Sequence, residues 1–271
     1  MDAHQDKTER FLALHQGPGA LLLPNPWDAG TAKLLASLGF SALATTSSGF
    51  AATLGRNDGS VSRDEAIGHA ALIVAATELP VSADLENGYA DEPERVAETI
   101  ELALAVGLAG CSIEDYTRRP DDPIYELGRA TARVAAAAEA AHGGPARLVL
   151  TARAENYLHG HPDLSETIAR LQAYQSAGAD VLYAPGLMEV DDIRAVVAAV
   201  DRPVNVLALP GGPTVAELEE IGVRRVSVGG AFAYAALGAV VEAGRELLDS
   251  GTYGFWERAA AGRRGVRSVF D

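Results

Sequence analysis

A chain of 271 residues with 22 basic and 37 acidic side chains carries a formal net charge of -15 at pH 7, so it lacks the basic face that a nucleic-acid or anionic-membrane partner requires. Hydrophobic residues make up 48% of it, which excludes intrinsic disorder and allows a sizeable core, and its one cysteine, Cys111, excludes a framework of internal disulfides. Met1-Asp2-Ala3-His4-Gln5-Asp6-Lys7 has no basic region followed by an apolar run, and no stretch approaches the ~18 apolar residues of a membrane span, so a cytoplasmic protein without a signal peptide is expected.

A polar helix is predicted over residues 8–15. Eight short β-branched or apolar runs follow, at 20–23, 42–46, 81–86, 110–114, 148–153, 181–184, 204–208 and 226–229. Alanine-rich amphipathic segments separate them, as at 29–38, 62–77, 93–106 and 164–177. These often open on Asp, Ser, Thr or Pro and close near Gly, as helix caps require. Such an alternation over ~250 residues predicts an α/β fold, a single (β/α)8 TIM-type barrel. It takes in residues 1–271 as one domain, with the short N-terminal helix and a C-terminal helical tail over about 231–271. An open doubly wound sheet is the rival, but no Gly-x-Gly-x-x-Gly follows the first strand.

In such barrels the active site forms at the C-terminal strand ends and the loops after them. Strand three ends Asp84-Leu85-Glu86, and alternation along a strand puts Asp84 and Glu86 on one side. Strand four ends at Glu114, and Asp58 follows strand two, so four carboxylates from neighbouring strands can converge. They would repel one another unless a cation binds them, and all-oxygen ligation suits Mg²⁺, or Mn²⁺, rather than zinc. Arg153, ending strand five, can clamp a substrate anion or pair with Glu114 or Glu155. Asn205 puts a polar amide inside the barrel, which needs a reason. The run Thr45-Thr46-Ser47-Ser48-Gly49 can present backbone N–H groups to an oxyanion, or make an ordinary turn. The only lysines, Lys7 and Lys33, lie in helical or polar segments, so imine chemistry is not expected.

At these residues the sequence resembles the isocitrate lyase/phosphoenolpyruvate mutase superfamily. The resemblance is carried by Ala44-Thr45-Thr46-Ser47-Ser48-Gly49, Ala83-Asp84-Leu85-Glu86-Asn87-Gly88-Tyr89, Ser112-Ile113-Glu114-Asp115, Ala152-Arg153 and Asn205-Val206-Leu207. It implies a Mg²⁺-dependent enzyme acting on a small 2-oxo acid or a relative. Asp84 would ligate the metal, with Asp58, Glu86 and Glu114 holding it largely through water. The amides around Ser47 and Ser48 would receive an enolate or carboxylate oxygen, with Arg153 on the substrate anion. It also implies a homotetramer that exchanges the last barrel helix, here residues 231–248.

The segment after strand four, Asp115-Tyr116-Thr117-Arg118-Arg119-Pro120, departs from the family. It lacks the Lys-Lys/Arg-Cys-Gly-His loop of the isocitrate and methylisocitrate lyases, and the lysine and asparagine of the mutases and phosphonopyruvate hydrolases. What remains is similar to the oxaloacetate-decarboxylase-like branch. The expected activity is C–C cleavage of a small 2-oxo or 2-hydroxy acid through a metal-stabilised enolate. The alternatives are a phosphonopyruvate-type P–C bond enzyme and a non-catalytic dicarboxylate-binding descendant. Tyr89, His159, His161 or a metal-bound water are the available bases, and the partner is a small acid, not a nucleic acid or a membrane.

Overall fold

Helix caps and proline stops divide the chain into alternating strands and helices. The computed structural model describes residues 3–144 and 146–270. Helix α1 (Ala3–Leu14) begins earlier than the predicted 8–15, because the polar residues at its start carry no apolar periodicity but still sustain a helix. The strands are β1 (Leu21–Leu23), β2 (Leu43–Ala44), β3 (Val81–Asp84), β4 (Gly110–Glu114), β5 (Val149–Arg153), β6 (Val181–Tyr183), β7 (Val204–Leu207) and β8 (Arg225–Ser227). Helices α2 (Ala29–Ser37), α4 (Arg63–Ala75), α5 (Pro93–Ala105), α6 (Leu127–His142), α7 (Leu164–Ser176), α8 (Val190–Ala199) and α9 (Val215–Glu220) connect them. Ser62 and Glu65 form a capping box on α4, and Pro93 opens α5 where no N–H is needed.

All eight strands are parallel, in the order β1-β8-β7-β6-β5-β4-β3-β2. The result is the expected (β/α)8 barrel, nearly closed. At the seam between β1 and β2 the backbone link is Ala44 N–H to the Pro24 carbonyl, 3.0 Å. Prolines 24 and 26 supply no donor there, which keeps β1 short. Asn25 reinforces the seam: its amide donates to the Thr45 carbonyl at 2.9 Å, and its oxygen accepts from Val228 and Gly229 N–H.

The predicted strand 42–46 is cut to two residues because the chain turns directly into a helix the sequence did not announce, α3 (Ser47–Thr53). Thr46 caps it, accepting from Gly49 N–H at 3.2 Å. Its residues Ser, Ser, Gly and Thr read as a turn by composition, and the cap decides otherwise.

The largest apolar cluster lies between barrel and helices and contains Cys111, whose thiol burial pushes up and keeps protonated. A second cluster groups Phe11 of α1 with Leu21, Leu23, Ala42, Ala44, Ala109, Val149 and Val181. Beyond β8, α10 (Ala231–Ser250) buries only Ala233 and exposes Tyr234, Leu237, Val240, Val241, Leu247 and Leu248, and α11 (Trp256–Arg267) buries nothing. No helix among the described residues is long and apolar enough to cross a membrane.

Gly110 opens β4 directly above Phe11, and a Cβ there would sit 2.6 Å from the Phe11 ring and 3.0 Å from the Val149 carbonyl. Gly110→Ala is expected to destabilise by about 1–3 kcal/mol in urea unfolding, and Phe11→Leu to restore part of it.

Candidate active site

Five side chains that line the mouth and interior stand in one continuous row of register partners: Glu114, Arg153, Tyr183, Asn205 and Arg225, on β4 to β8. They border two cavities of about 200 and 230 Å³ that share Ser47, Asp58, Arg153 and Leu158. The cavities lie at the C-terminal ends of the strands, where this fold places its chemistry.

Arg153 is the hub. Its Nη1 pairs with Asp84 at 2.9 Å, its Nη2 with Glu114 at 3.0 Å and its Nε with Glu155 at 2.8 Å. Of the two roles expected, the structure shows the ion pair, with Asp84 added to Glu114 and Glu155. Burial opposes the Arg153 charge, but Glu155, Glu114 and Asp84 overcome it and hold the guanidinium protonated. One cation cannot neutralise three acids. Burial therefore pushes the Glu114 carboxyl well above its usual range, with Arg153 opposing and Glu155 and Asp84 reinforcing. Burial raises Glu155 too, with Arg153 opposing and Asp115 and Asp84 reinforcing.

Asp84 ends β3, with its N–H on Thr45 Oγ1 at 3.0 Å and its carboxylate accepting from Ser47 N–H at 3.2 Å. The strand stops there. Glu86 has φ +48°, so it does not alternate with Asp84 as a continued strand would require; it reaches the second cavity from a left-handed turn instead. Tyr89, at φ +58°, donates its hydroxyl to Glu86 at 3.2 Å, and Arg118, at φ +64°, pairs with the same carboxylate. Burial, then Asp84, Glu114 and Asp58, raise the Tyr89 pKa, so this phenol is a donor and not the base considered from sequence.

Asp58 is exposed in the loop after α3, accepts from Gly59 N–H at 3.0 Å and borders both cavities. Ser47 and Ser48 open α3 at the cavity wall, Ser48 Oγ lying 3.2 Å from Thr46 Oγ1. Thr46 spends its hydroxyl on the cap, and Gly49 sits behind it against Ala233 and Trp27. Asn205 has the reason it needed: its oxygen accepts from Arg225 Nε at 2.9 Å and its amide donates to Ser227 Oγ at 3.0 Å. His159 stacks on Tyr116 at 3.8 Å, and burial, Arg153 and His161 hold its pKa below the ordinary imidazole value. His161 is exposed.

Glu155, Arg118 and Arg225 are the residues that sequence reasoning missed as site members. Glu155 stood in the same strand-end run as Arg153. Arg118 lay in the segment read only for the residues it lacks, and Arg225 falls just before the run 226–229 predicted as strand eight. Asp115, by contrast, is structural: it accepts from Glu155 N–H at 2.8 Å, Arg170 at 3.1 Å and the Tyr174 hydroxyl.

Among the described residues no three acidic, histidine or cysteine groups stand close enough to form a direct ligand cage. Arginines are interleaved with the acids instead. Asp84, Glu86, Glu114, Glu155 and Asp58 nevertheless border the joined cavities, with Arg153 and Arg118 as the cations paired to them. This surplus of oxygen anions fits a hard divalent ion that keeps several waters.

Because Arg153 spans β3, β4 and β5, Arg153→Gln is expected to lower stability by roughly 3–5 kcal/mol through the buried acids left unpaired. The double change Arg153→Gln with Glu155→Gln should recover part of that loss, read by urea denaturation of each variant.

Comparison with known proteins agrees with this architecture. The phosphoenolpyruvate phosphomutase family model matches residues 11–248. A crystal structure of a candidate lyase/mutase from Burkholderia cenocepacia J2315 is 54% identical, covers 98% of this chain and 97% of its own, and superposes with a TM-score of 0.95. The uncharacterized protein Rv1998c of Mycobacterium tuberculosis (strain ATCC 25618 / H37Rv) is 33% identical over 88% of this chain and 89% of its own length. An oxaloacetate decarboxylase of Pseudomonas savastanoi pv. phaseolicola is 28% identical over 90% and 86%. The chain belongs to the phosphoenolpyruvate phosphomutase family, within the isocitrate lyase/phosphoenolpyruvate mutase superfamily of C–C lyases and mutases.

Proposed function

We propose that this chain is a Mg²⁺-dependent lyase or decarboxylase that cleaves a C–C bond in a small 2-oxo or 2-hydroxy acid. The observation that carries this reading is the crowding of three carboxyl groups, Asp84, Glu114 and Glu155, around the single guanidinium of Arg153 at the barrel mouth. Similarity to the Pseudomonas oxaloacetate decarboxylase supports the choice of substrate class.

The bound ion would act as a Lewis acid on the keto and carboxylate oxygens of the substrate. Ser47 and Ser48 begin α3, so their N–H groups have no intrahelical acceptor; the Ser48 N–H, joined by that of Ser47 once Asp84 turns from it, can receive the oxygen on which charge develops. Arg153 stays charged among these acids, and so can hold a substrate carboxylate while Asp84 turns from it. Tyr89 keeps Glu86 oriented through its hydroxyl. Decarboxylation needs no general acid before the C–C bond breaks, so the absence of a cysteine after β4 does not prevent it. For a 2-hydroxy acid, His159 is neutral and 3.8 Å from Glu155, and is the available acceptor for the hydroxyl proton.

A P–C bond enzyme is the second reading, favoured by Arg118, which puts a guanidinium over the mouth where a phosphonate could be met. Phosphorus NMR of phosphonopyruvate incubated with the protein separates the two. The uncovered apolar face of α10 further supports a homo-oligomer, a tetramer by family resemblance.

Pyruvate and CO₂ release from oxaloacetate is expected with Mg²⁺ or Mn²⁺ and not with excess EDTA. Asp84→Ala should reduce the rate by roughly a hundredfold or more. Equal rates with and without chelator would remove the metal from the account. Light scattering should give an oligomer, and Val240→Asp with Leu248→Asp should dissociate it.

A further inference from the structure

Beneath the acids the barrel interior carries a cation with no acid to match it. Arg225 is 4% exposed and reaches across the barrel from β8. Its Nε donates to Asn205 Oδ1 at 2.9 Å, its Nη2 to Thr151 Oγ1 on β5 at 3.0 Å, and its Nη1 meets His15 Nε2 at 3.4 Å. Every one of these partners is neutral. His15 donates its Nδ1–H to the Phe11 carbonyl at 2.8 Å, and burial, then Arg225, hold its pKa down to about 3, so it offers Arg225 only a lone pair. Among the described residues no carboxylate forms an ion pair with Arg225. A buried charge is ordinarily paired with an opposite one.

The space above it is equally unusual. Interiors of such barrels are packed with branched aliphatic side chains, but here Ser82, Ser112, Asn205 and Ser227 line the inner cavity down to Arg225. The opening thus runs from Ser47 and Asp84 at the mouth to a guanidinium at the floor. Thr151, which Arg225 touches, stands two residues below Arg153 on β5, roughly 7 Å along the strand. Arg225 and Arg153 both border the same cavity, one at each end of it.

We propose that Arg225 receives the second carboxylate of the substrate, so that the protein selects short 2-oxo or 2-hydroxy dicarboxylates over monocarboxylates of the same carbon skeleton. The inference rests on the reading of these cavities as the substrate site. The head of the acid meets Ser47, Arg153 and the acidic mouth; the tail meets the planar fork of Arg225, with the Ser227 hydroxyl and the Asn205 amide beside it. The carboxylate supplies the missing counter-charge. Asn205 and Thr151 hold the fork flat across the interior before the substrate arrives, which lowers the entropy lost on binding.

Calorimetric titration with Mg²⁺ present tests this with three probes. Oxalate occupies only the mouth, (S)-malate carries both carboxylates, and (S)-2-hydroxybutyrate has a methyl in place of the second one. The wild-type protein is expected to prefer malate over hydroxybutyrate by roughly ten- to a hundredfold, the usual worth of a charged hydrogen bond. Arg225→Gln should erase that preference and leave oxalate affinity within about threefold. Should Arg225→Gln not fold, Asn205→Asp gives Arg225 an internal counterion; it should raise the melting temperature, abolish the malate preference and spare oxalate. A malate preference that survives either change, or equal losses of malate and oxalate in Arg225→Gln, overturns the assignment of Arg225. Failure of oxalate to bind the wild-type protein at all removes instead the reading of the cavity as the substrate site.

Discussion

The barrel mouth depends on the grip of Arg153 on Asp84, Glu114 and Glu155. The three carboxylates come from the ends of β3, β4 and β5 or just beyond. Without a shared cation their repulsion would drive those ends apart or force the acids to take up protons. A planar guanidinium with five N–H groups can serve all three at once, and an ammonium could not hold the same geometry. The same grip leaves the site electrically unfinished, because one guanidinium serves three crowded carboxyls and Glu114 and Glu155 are held above the usual carboxylate range. Structure and chemistry thus share a cause: the arrangement that holds the strand ends together is also the one that invites a divalent cation.

Backbone conformation reinforces this. The non-glycine residues with positive φ among those described are Glu86, Tyr89 and Arg118, and they touch one another at one edge of the mouth. Left-handed conformations are costly for such side chains and persist where surrounding contacts over-determine them. Here the contacts are the Tyr89 hydroxyl on Glu86, the Arg118 ion pair to the same carboxylate, and the Arg118 guanidinium over the Tyr89 ring. A carboxylate that would otherwise have followed the strand is thereby turned into the cavity.

Much of this was legible in the sequence, for reasons that differ from element to element. Strands β4 to β7 are short apolar runs bounded by glycine or turn residues, and their positions follow from periodicity alone. Asp84, Glu114 and Arg153 were found because strand ends are where this fold exposes chemistry. The start of α1 and the whole of α3 were not found: a polar first turn and a Thr-Ser-Ser-Gly run have no helical signature until a cap fixes them. Glu86 was placed in the right cavity by the wrong geometry, since alternation says nothing of where a strand stops. Arg225 was invisible because its role comes from partners on α1, β5 and β7, none adjacent in sequence. The amide of Asn205 was noticed as needing an explanation, and that explanation is Arg225.

The incomplete pairing of β1 with β2 bears on how the cylinder yields under load. A split ring changes its bore by flexing opposite the gap, and no rung of the ladder need break. In this chain Arg153 staples β3, β4 and β5, on the β2 side of the ring, so the strands carrying the acids stay rigid and flexing falls to the unstapled side. The free lips are β1, continued by Pro24 and Asn25, on one side and β2 with its Thr45–Ser47 corner on the other, bridged mainly by the Asn25 amide and the Ala44 N–H. A guest entering from above would therefore part β1 from β2 beside Ser47, while the acidic wall along its flank kept its shape.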